Sequence, residues 1–332
     1  MIVKKYLNGV LVVGIITISS FLIQEISFIE RLNLSSLIIA ILLGALVKNT
    51  IGINESMKLG IKFCAKKVLK LAIIFLGFKL SISQITKIGP KAIILIFIVC
   101  TITMIFTKYL GKKFKIPEKR SILIGSGISI CGASAVAAVN AVTKSDEKDA
   151  AFAIGIVTVF GTIFMFVYPI IFKILDLSTS FYTLWAGSSI HEVAQVVAAG
   201  FAVSNDAGTY STLVKLTRVL YIIPATIYLS IKYMKESNSE KFSLKNISVP
   251  WFVFMFLAVV IINSFISIPS NVLTELINLD NYLMTAAMAG LGLELSISDM
   301  KKVGIKPLYL GAIASLFISI FSAVVIKLIG LA

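Results

Sequence analysis

Histidine occurs once in these 332 residues, cysteine three times, arginine three times against 28 lysines, and charged residues make up only 14%. Each scarcity excludes something. A lone histidine rules out the paired-histidine zinc motifs. The cysteines, Cys64, Cys100 and Cys131, lie in or beside apolar runs without metal-ligand spacing, so they make no case for zinc or for disulfides. There is no phosphate-binding glycine loop, and no nucleophile has a base at usable spacing, so neither an enzyme nor a cofactor is expected. The low charge excludes a soluble fold. Ordinary domains are roughly 45–50% apolar and about 25% charged, whereas this chain is 58% hydrophobic with a mean hydropathy of +0.98.

What is present is long apolar runs, continuous rather than alternating, which predicts helices that use lipid as solvent. They fall near 7–26, 34–47, 68–82, 89–107, 121–143, 150–172, 178–203, 211–231, 250–268, 280–295 and 305–330. The expected fold is an all-α polytopic membrane protein of about eleven transmembrane segments, one membrane domain over 1–332. Lys4 and Lys5 before the apolar run Leu7–Ile23 also fit a signal peptide. However, Gln24-Glu25-Ile26 is no small-residue cleavage site, so an uncleaved first span is expected. With the N-terminus in the cytoplasm, inner loops at 48–70, 108–120, 173–177, 232–249 and 296–306 and the N-terminus hold 22 lysines and arginines, and the outer loops hold 6. That asymmetry explains the net charge of +15 without nucleic acid as a partner.

The stretch LGFKLSISQITKIG, Leu76–Gly89, returns as LGLELSISDMKKVG, Leu291–Gly304. The two copies lie seven spans apart, so they cross in opposite directions, as the inverted repeats of secondary transporters do. Lys79 and Glu294 occupy equivalent positions near span ends, where snorkelling or a loop ion pair is the expected role.

Two apolar runs carry Gly and Ser in their middles: Gly125–Val142 and Trp185–Gly200. Two broken helices are expected there, with the freed backbone buried in protein or facing a cavity. Ser189 as N-cap, with Glu192 closing a capping box, is the expected restart of the second. Ser129 or Ser134 would cap the first, with Gly132 allowing a ligand close to the backbone. Such N-termini favour an anion. As full crossings the two segments would run parallel; as re-entrant hairpins they would enter from opposite faces. The residues leave both open, and ordinary small-residue packing is the plain alternative.

His191 lies at the second restart beside Glu192, with Gln195 one turn further on, and suits a proton carrier or an oxyanion donor. Arg218, inside a span and one turn past Lys215, suits a bidentate oxyanion clamp or a counter-charge for Glu192. Snorkelling is the plain alternative for both cations. The candidate substrate-binding residues are Ser129, Cys131, Gly132, Ala133, Ser134, Gly187, Ser188, Ser189, His191, Glu192, Gln195 and Arg218.

The words GISICGASAVAA around Cys131 and GSSIHEVAQVVAAG around His191, with the LGFKLSIS and LGLELSIS repeats, resemble the bacterial YeiH-like sulfate exporter family over nearly the whole chain. The resemblance implies a plasma-membrane exporter of sulfate or a related oxyanion. More distantly, the pattern is similar to the bile-acid/sodium symporter and sodium/proton antiporter folds. The broken segments here are about 60 residues apart and the repeat words 215, which departs from a simple five-plus-five arrangement. The expected function is secondary transport of a small anion, a sulfur oxyanion or sulfonate, coupled to H+ or Na+. A sodium-coupled organic-acid importer and a channel or non-transporting receptor are the rivals, and a homodimer stays open.

Overall fold

A computed structural model describes residues 2–26, 35–237, 250–296 and 305–331, and every regular element among them is helical. α1 (Ile2–Gln24) and α2 (Ser36–Thr50) come first. α3 (Glu55–Phe63) passes through a π-turn at Cys64–Val68 into α4 (Leu69–Leu76) and a 3-10 turn at Gly77–Lys79. α5 (Ile82–Lys113) is broken at Gly89, whose φ of 71° needs glycine and precedes Pro90. α6 (Glu118–Ser126), a π-turn at Gly127–Cys131 and α7 (Ala133–Thr143) follow, then α8 (Glu147–Ile174). After these come α9 (Thr179–Ser189), α10 (Val193–Phe201), α11 (Asn205–Leu220) and α12 (Ile222–Ser237). α13 (Trp251–Phe265), α14 (Ser270–Glu294) and α15 (Ile305–Ile329) complete the chain.

Among the described residues, five stretches are long and apolar enough to cross a membrane: Tyr6–Gln24, Gly89–Lys113, Lys148–Ile174, Asn205–Tyr233 and Lys306–Ile329. Shorter apolar helices stand beside them, and the chain is an all-helical polytopic membrane protein. One expected boundary shifts. The lysine-rich stretch inside 48–70 is not loop but helix from Glu55 onward. Counting apolar residues misreads it because Lys58, Lys62, Lys66 and Lys67 are exposed, while Gly60, Ile61, Cys64, Ala65 and Leu69 are buried at helical spacing. Part of the second repeat word, 297–304, lies outside the described residues, as do Arg31 and 238–249.

The chain forms two compact units. The first contains 1–87 and 251–298. Its helices meet at glycines: a Cβ on Gly44 would lie 2.6 Å from the Ala289 carbonyl oxygen, and one on Gly292 would lie 2.3 Å from that of Ile41. The chain leaves helix after Lys79, and Asn263 Nδ2 donates to the freed carbonyls of Phe78 and Leu80, both at 3.0 Å. Lys79 Nζ pairs with the fully buried Asp280 at 2.8 Å and donates to Asn281 Oδ1 at 2.8 Å. The ion pair expected for Lys79 therefore forms, but with Asp280 inside the unit rather than in a loop. The second unit contains 88–250 and 299–332, and it holds all twelve candidate site residues.

Candidate functional site

The first break is a tight reversal. Gly132 N donates to Gly127 O at 2.9 Å, closing the π-turn, and Gly132 then takes φ 73°, ψ −135°. Only glycine adopts that conformation readily. A Cβ there would also lie 2.3 Å from Glu192 Cγ, so glycine is required twice. α6 and α7 then pack against each other, with the Gly127 position 2.9 Å (Cβ) from Val136 Cγ2. The second break does the same. Tyr182 Oη on α9 donates to Ala199 O on α10 at 2.7 Å, though 17 residues separate them. Gly187 on α9 and Gly200 on α10 both press on Ser211 of α11. Helices that continued through a kink could not make these contacts, since seven residues of helix already span roughly 10 Å. Both segments fold back as helical hairpins, an arrangement that differs from crossed broken helices.

The caps correct two expectations. The N-cap of α10 is Glu192, not Ser189, and its capping box closes with Gln195, whose Oε1 accepts from Glu192 N at 3.0 Å. Ser189 instead ends α9, with its hydroxyl on Trp185 O at 2.5 Å and Tyr168 Oη at 2.8 Å. Neither Ser129 nor Ser134 caps α7. The N-cap is Gly132, without a side-chain cap bond, and Ser134 is exposed. The carboxylate of Glu192 does the capping from the other hairpin, with Oε1 accepting from Ala133 N at 3.4 Å. Gln195 is wedged against Gly161 and donates to Thr158 O at 3.4 Å and Thr162 Oγ1 at 3.5 Å.

The opposite ends of the half-helices belong to two cations on α11. Lys215 Nζ donates to Ile130 O at 2.9 Å, Ile190 O at 2.7 Å and His191 O at 2.5 Å. Arg218 donates through Nε to Ser129 O at 2.5 Å, through Nη1 to Ile190 O at 2.9 Å, and through Nη2 to Ile128 O. Both residues are fully buried, so snorkelling does not explain them. The helix end leaves carbonyls unsatisfied and carries a partial negative charge, and cations answer both needs. Arg218 thus spends three donors on the two hairpin tips instead of presenting a free fork to an anion.

The charges do not cancel. Two helix C-termini carry roughly −0.5 each and two N-termini roughly +0.5 each. Against them stand Lys215 and Arg218 on one side and Glu192 on the other. The paired tips therefore hold an excess of about one positive charge.

His191 is fully buried. Its Nδ1 is 3.2 Å from Ser189 O and its Nε2 2.7 Å from Ser315 Oγ. Because a carbonyl only accepts, the geometry assigns a proton to Nδ1, while the Ser315 hydroxyl can donate to or accept from Nε2 according to the charge of the ring. The sequence reading missed Ser315 and its neighbours. Tyr168 Oη donates to Ser319 Oγ at 2.8 Å, Ser322 bonds Ser188 Oγ at 2.6 Å, and Trp185 Nε1 donates to Ser319 O at 2.9 Å. The spacing of Ser315, Ser319 and Ser322, one face of an otherwise apolar helix, was the available signal. Cys131 is buried in the first tip, and Cys100 Sγ reaches Ser129 O at 3.0 Å. Of the tip residues, Glu192 and Ala133 are half-buried and Ser134 is exposed.

Residues 8–311 match the family described as Conserved hypothetical protein 698. A UPF0324 membrane protein of Pasteurella multocida (strain Pm70) is 37% identical over 310 residues, covering 92% of each chain. The UPF0324 inner membrane protein YeiH of Escherichia coli (strain K12) is 36% identical over 313 residues, 93% of this chain and 90% of its own. A UPF0324 membrane protein of Bacillus cereus is 33% identical over 324 residues, 97% of this chain and 95% of its own. With a family match across most of its length and relatives above 30% identity end to end, this chain belongs to the UPF0324, YeiH-like family of membrane proteins.

Proposed function

We propose that the protein is a secondary transporter of a small anion, a sulfur oxyanion or sulfonate, and not an enzyme. One observation carries the reading: two helical hairpins meet tip to tip inside an apolar protein and hold about one excess positive charge. A charge imbalance in an apolar interior is costly unless a counter-ion visits it. Irregular backbone at depth fits a substrate path.

The geometry also bears on the coupling ion. The carbonyls of Ile128, Ser129, Ile130, Ile190 and His191 are already held by Lys215 and Arg218. Sodium would need such oxygens, which favours the proton over sodium and the anion exporter over a sodium-coupled importer. Eleven membrane segments fit this reading, nine crossing and two re-entrant from opposite faces. The N-terminus would lie in the cytoplasm, as the lysine asymmetry supports. The two similar words at Leu76–Gly89 and Leu291–Gly304 support an inverted repeat.

The test is counterflow in proteoliposomes. Labelled sulfate or methanesulfonate should accumulate transiently against unlabelled anion inside and saturate with concentration. Flux that is linear in concentration and shows no counterflow would point to a channel; no flux of either anion would remove the substrate class.

A further inference from the structure

The carboxylate of Glu192 stands where an anion would stand. It caps α10 and accepts from the first amide of α7 on the other hairpin, so the N-termini of both half-helices converge on it. It is half-buried, while His191 beside it is fully buried with both ring nitrogens engaged. The charged and titratable groups that face Glu192 include, among the described residues, Lys215 from α11 and Cys131 from the first hairpin tip. The residues lining its other side, Thr158 and Thr162 of α8 around Gln195, carry no charge. A further group in the first tip stands out: Ser129 Oγ is buried with no hydrogen-bond partner among the described residues.

From this arrangement we infer that Glu192 is a resident competitor for the transported anion, and that its protonation couples the anion to one proton. Ionised, the carboxylate fills the pole formed by Gly132, Ala133 and the start of α10. When a proton from solvent forms an O–H bond on that carboxylate, its negative charge is lost and its hold on the Ala133 amide weakens. An incoming anion then takes the amide and brings the charge of the tips back towards neutral. Anion and proton therefore enter and leave together, with no oxidation and no covalent bond to the substrate. This assigns the proton to Glu192 rather than to His191. The inference rests on the anion-transporter reading above.

Sulfate and methanesulfonate are suitable probes because both are anions of strong acids, so their own charge stays constant from weakly acidic to neutral pH. Binding to the purified full-length protein is measured by calorimetry in two buffers of different ionisation enthalpy. Wild type should take up a fraction of a proton per anion bound where free Glu192 titrates, rising to about one above that range. There affinity should fall by up to about tenfold per pH unit, the limit for one linked proton. Glu192→Gln, which keeps an oxygen for the cap, should bind with an affinity independent of pH and take up no proton. Binding by wild type without proton uptake at any pH overturns the competition and leaves the transporter reading standing. The same holds for a pH slope that survives in Glu192→Gln. Failure of both anions to bind wild type at the lowest pH sinks the anion reading itself. If Glu192→Gln does not fold, proton uptake by wild type decides alone.

Discussion

Each unit of this protein engages buried acceptors with cations, and the two do so differently. In the first, Lys79 meets a side chain, Asp280, at 2.8 Å, and the charges cancel. In the second, Lys215 and Arg218 meet the carbonyls of two hairpin tips, and about one positive charge is left over. A cancelled pair can fix a packing arrangement and be replaced by apolar groups. A cation that holds backbone has no partner side chain to remove with it. The difference separates a structural use of buried charge from one poised for a ligand.

The largest expected effect follows directly. Lys215→Met/Arg218→Leu should fail to fold, since six hydrogen bonds to buried carbonyls are lost and each orphaned group costs about 1–3 kcal/mol. Size-exclusion chromatography in detergent should show aggregate; a monodisperse double variant would refute the role given to these cations. By comparison, Lys79→Met should cost about 3 kcal/mol by leaving Asp280 unpaired, and Lys79→Met/Asp280→Leu should recover most of it. Thermal unfolding of the three proteins reads this out, and a double variant no better than the single would erase the contrast between the units.

Gly132→Ala sharpens the comparison at the tip. Strain at φ 73° should cost about 1–3 kcal/mol, and the new methyl must displace the side chain of Glu192. Because that methyl also fills the pole an anion would enter, anion binding should fall much more than stability does. An equal fall in both would mean that the pole at Gly132 is not part of the site.

The smallest effect concerns Glu118, which lies outside the five membrane-crossing stretches. Hydrogen bonds from Lys232 and Lys108 hold the Glu118 carboxyl down to about 2, below the usual carboxylate range. The group contributes stability above its ordinary titration range, and that contribution is lost as pH falls towards 2. Because Glu118 is half exposed, its replacement by Gln should change stability near neutral pH by less than about 1 kcal/mol. A larger change in urea or thermal unfolding would mean that this surface cluster does more than pin the start of α6.

The hairpins were half legible. Gly and Ser in mid-run announced that Gly125–Val142 and Trp185–Gly200 break, because freed backbone in an apolar run needs small residues. The register of the caps was not legible. Ser189-x-x-Glu192 and Glu192-x-x-Gln195 both satisfy the capping-box pattern, and what decides is that Ser189 is held by Tyr168 and Trp185 from within the fold. The fold-back was equally hidden, since it depends on Tyr182 meeting Ala199 and on two glycines sharing Ser211.

The sequence by itself determined that this chain lives in lipid, where its helices break, and which scarce polar residues stand at depth. It could do so because apolar length, glycine placement and the rarity of histidine and arginine are local properties. Only the tertiary structure decided what Lys215, Arg218 and Glu192 face. The partners of the cations are backbone carbonyls, which every residue possesses and no residue type announces. The partner of the carboxylate is an amide of the other hairpin, 59 positions away in the chain.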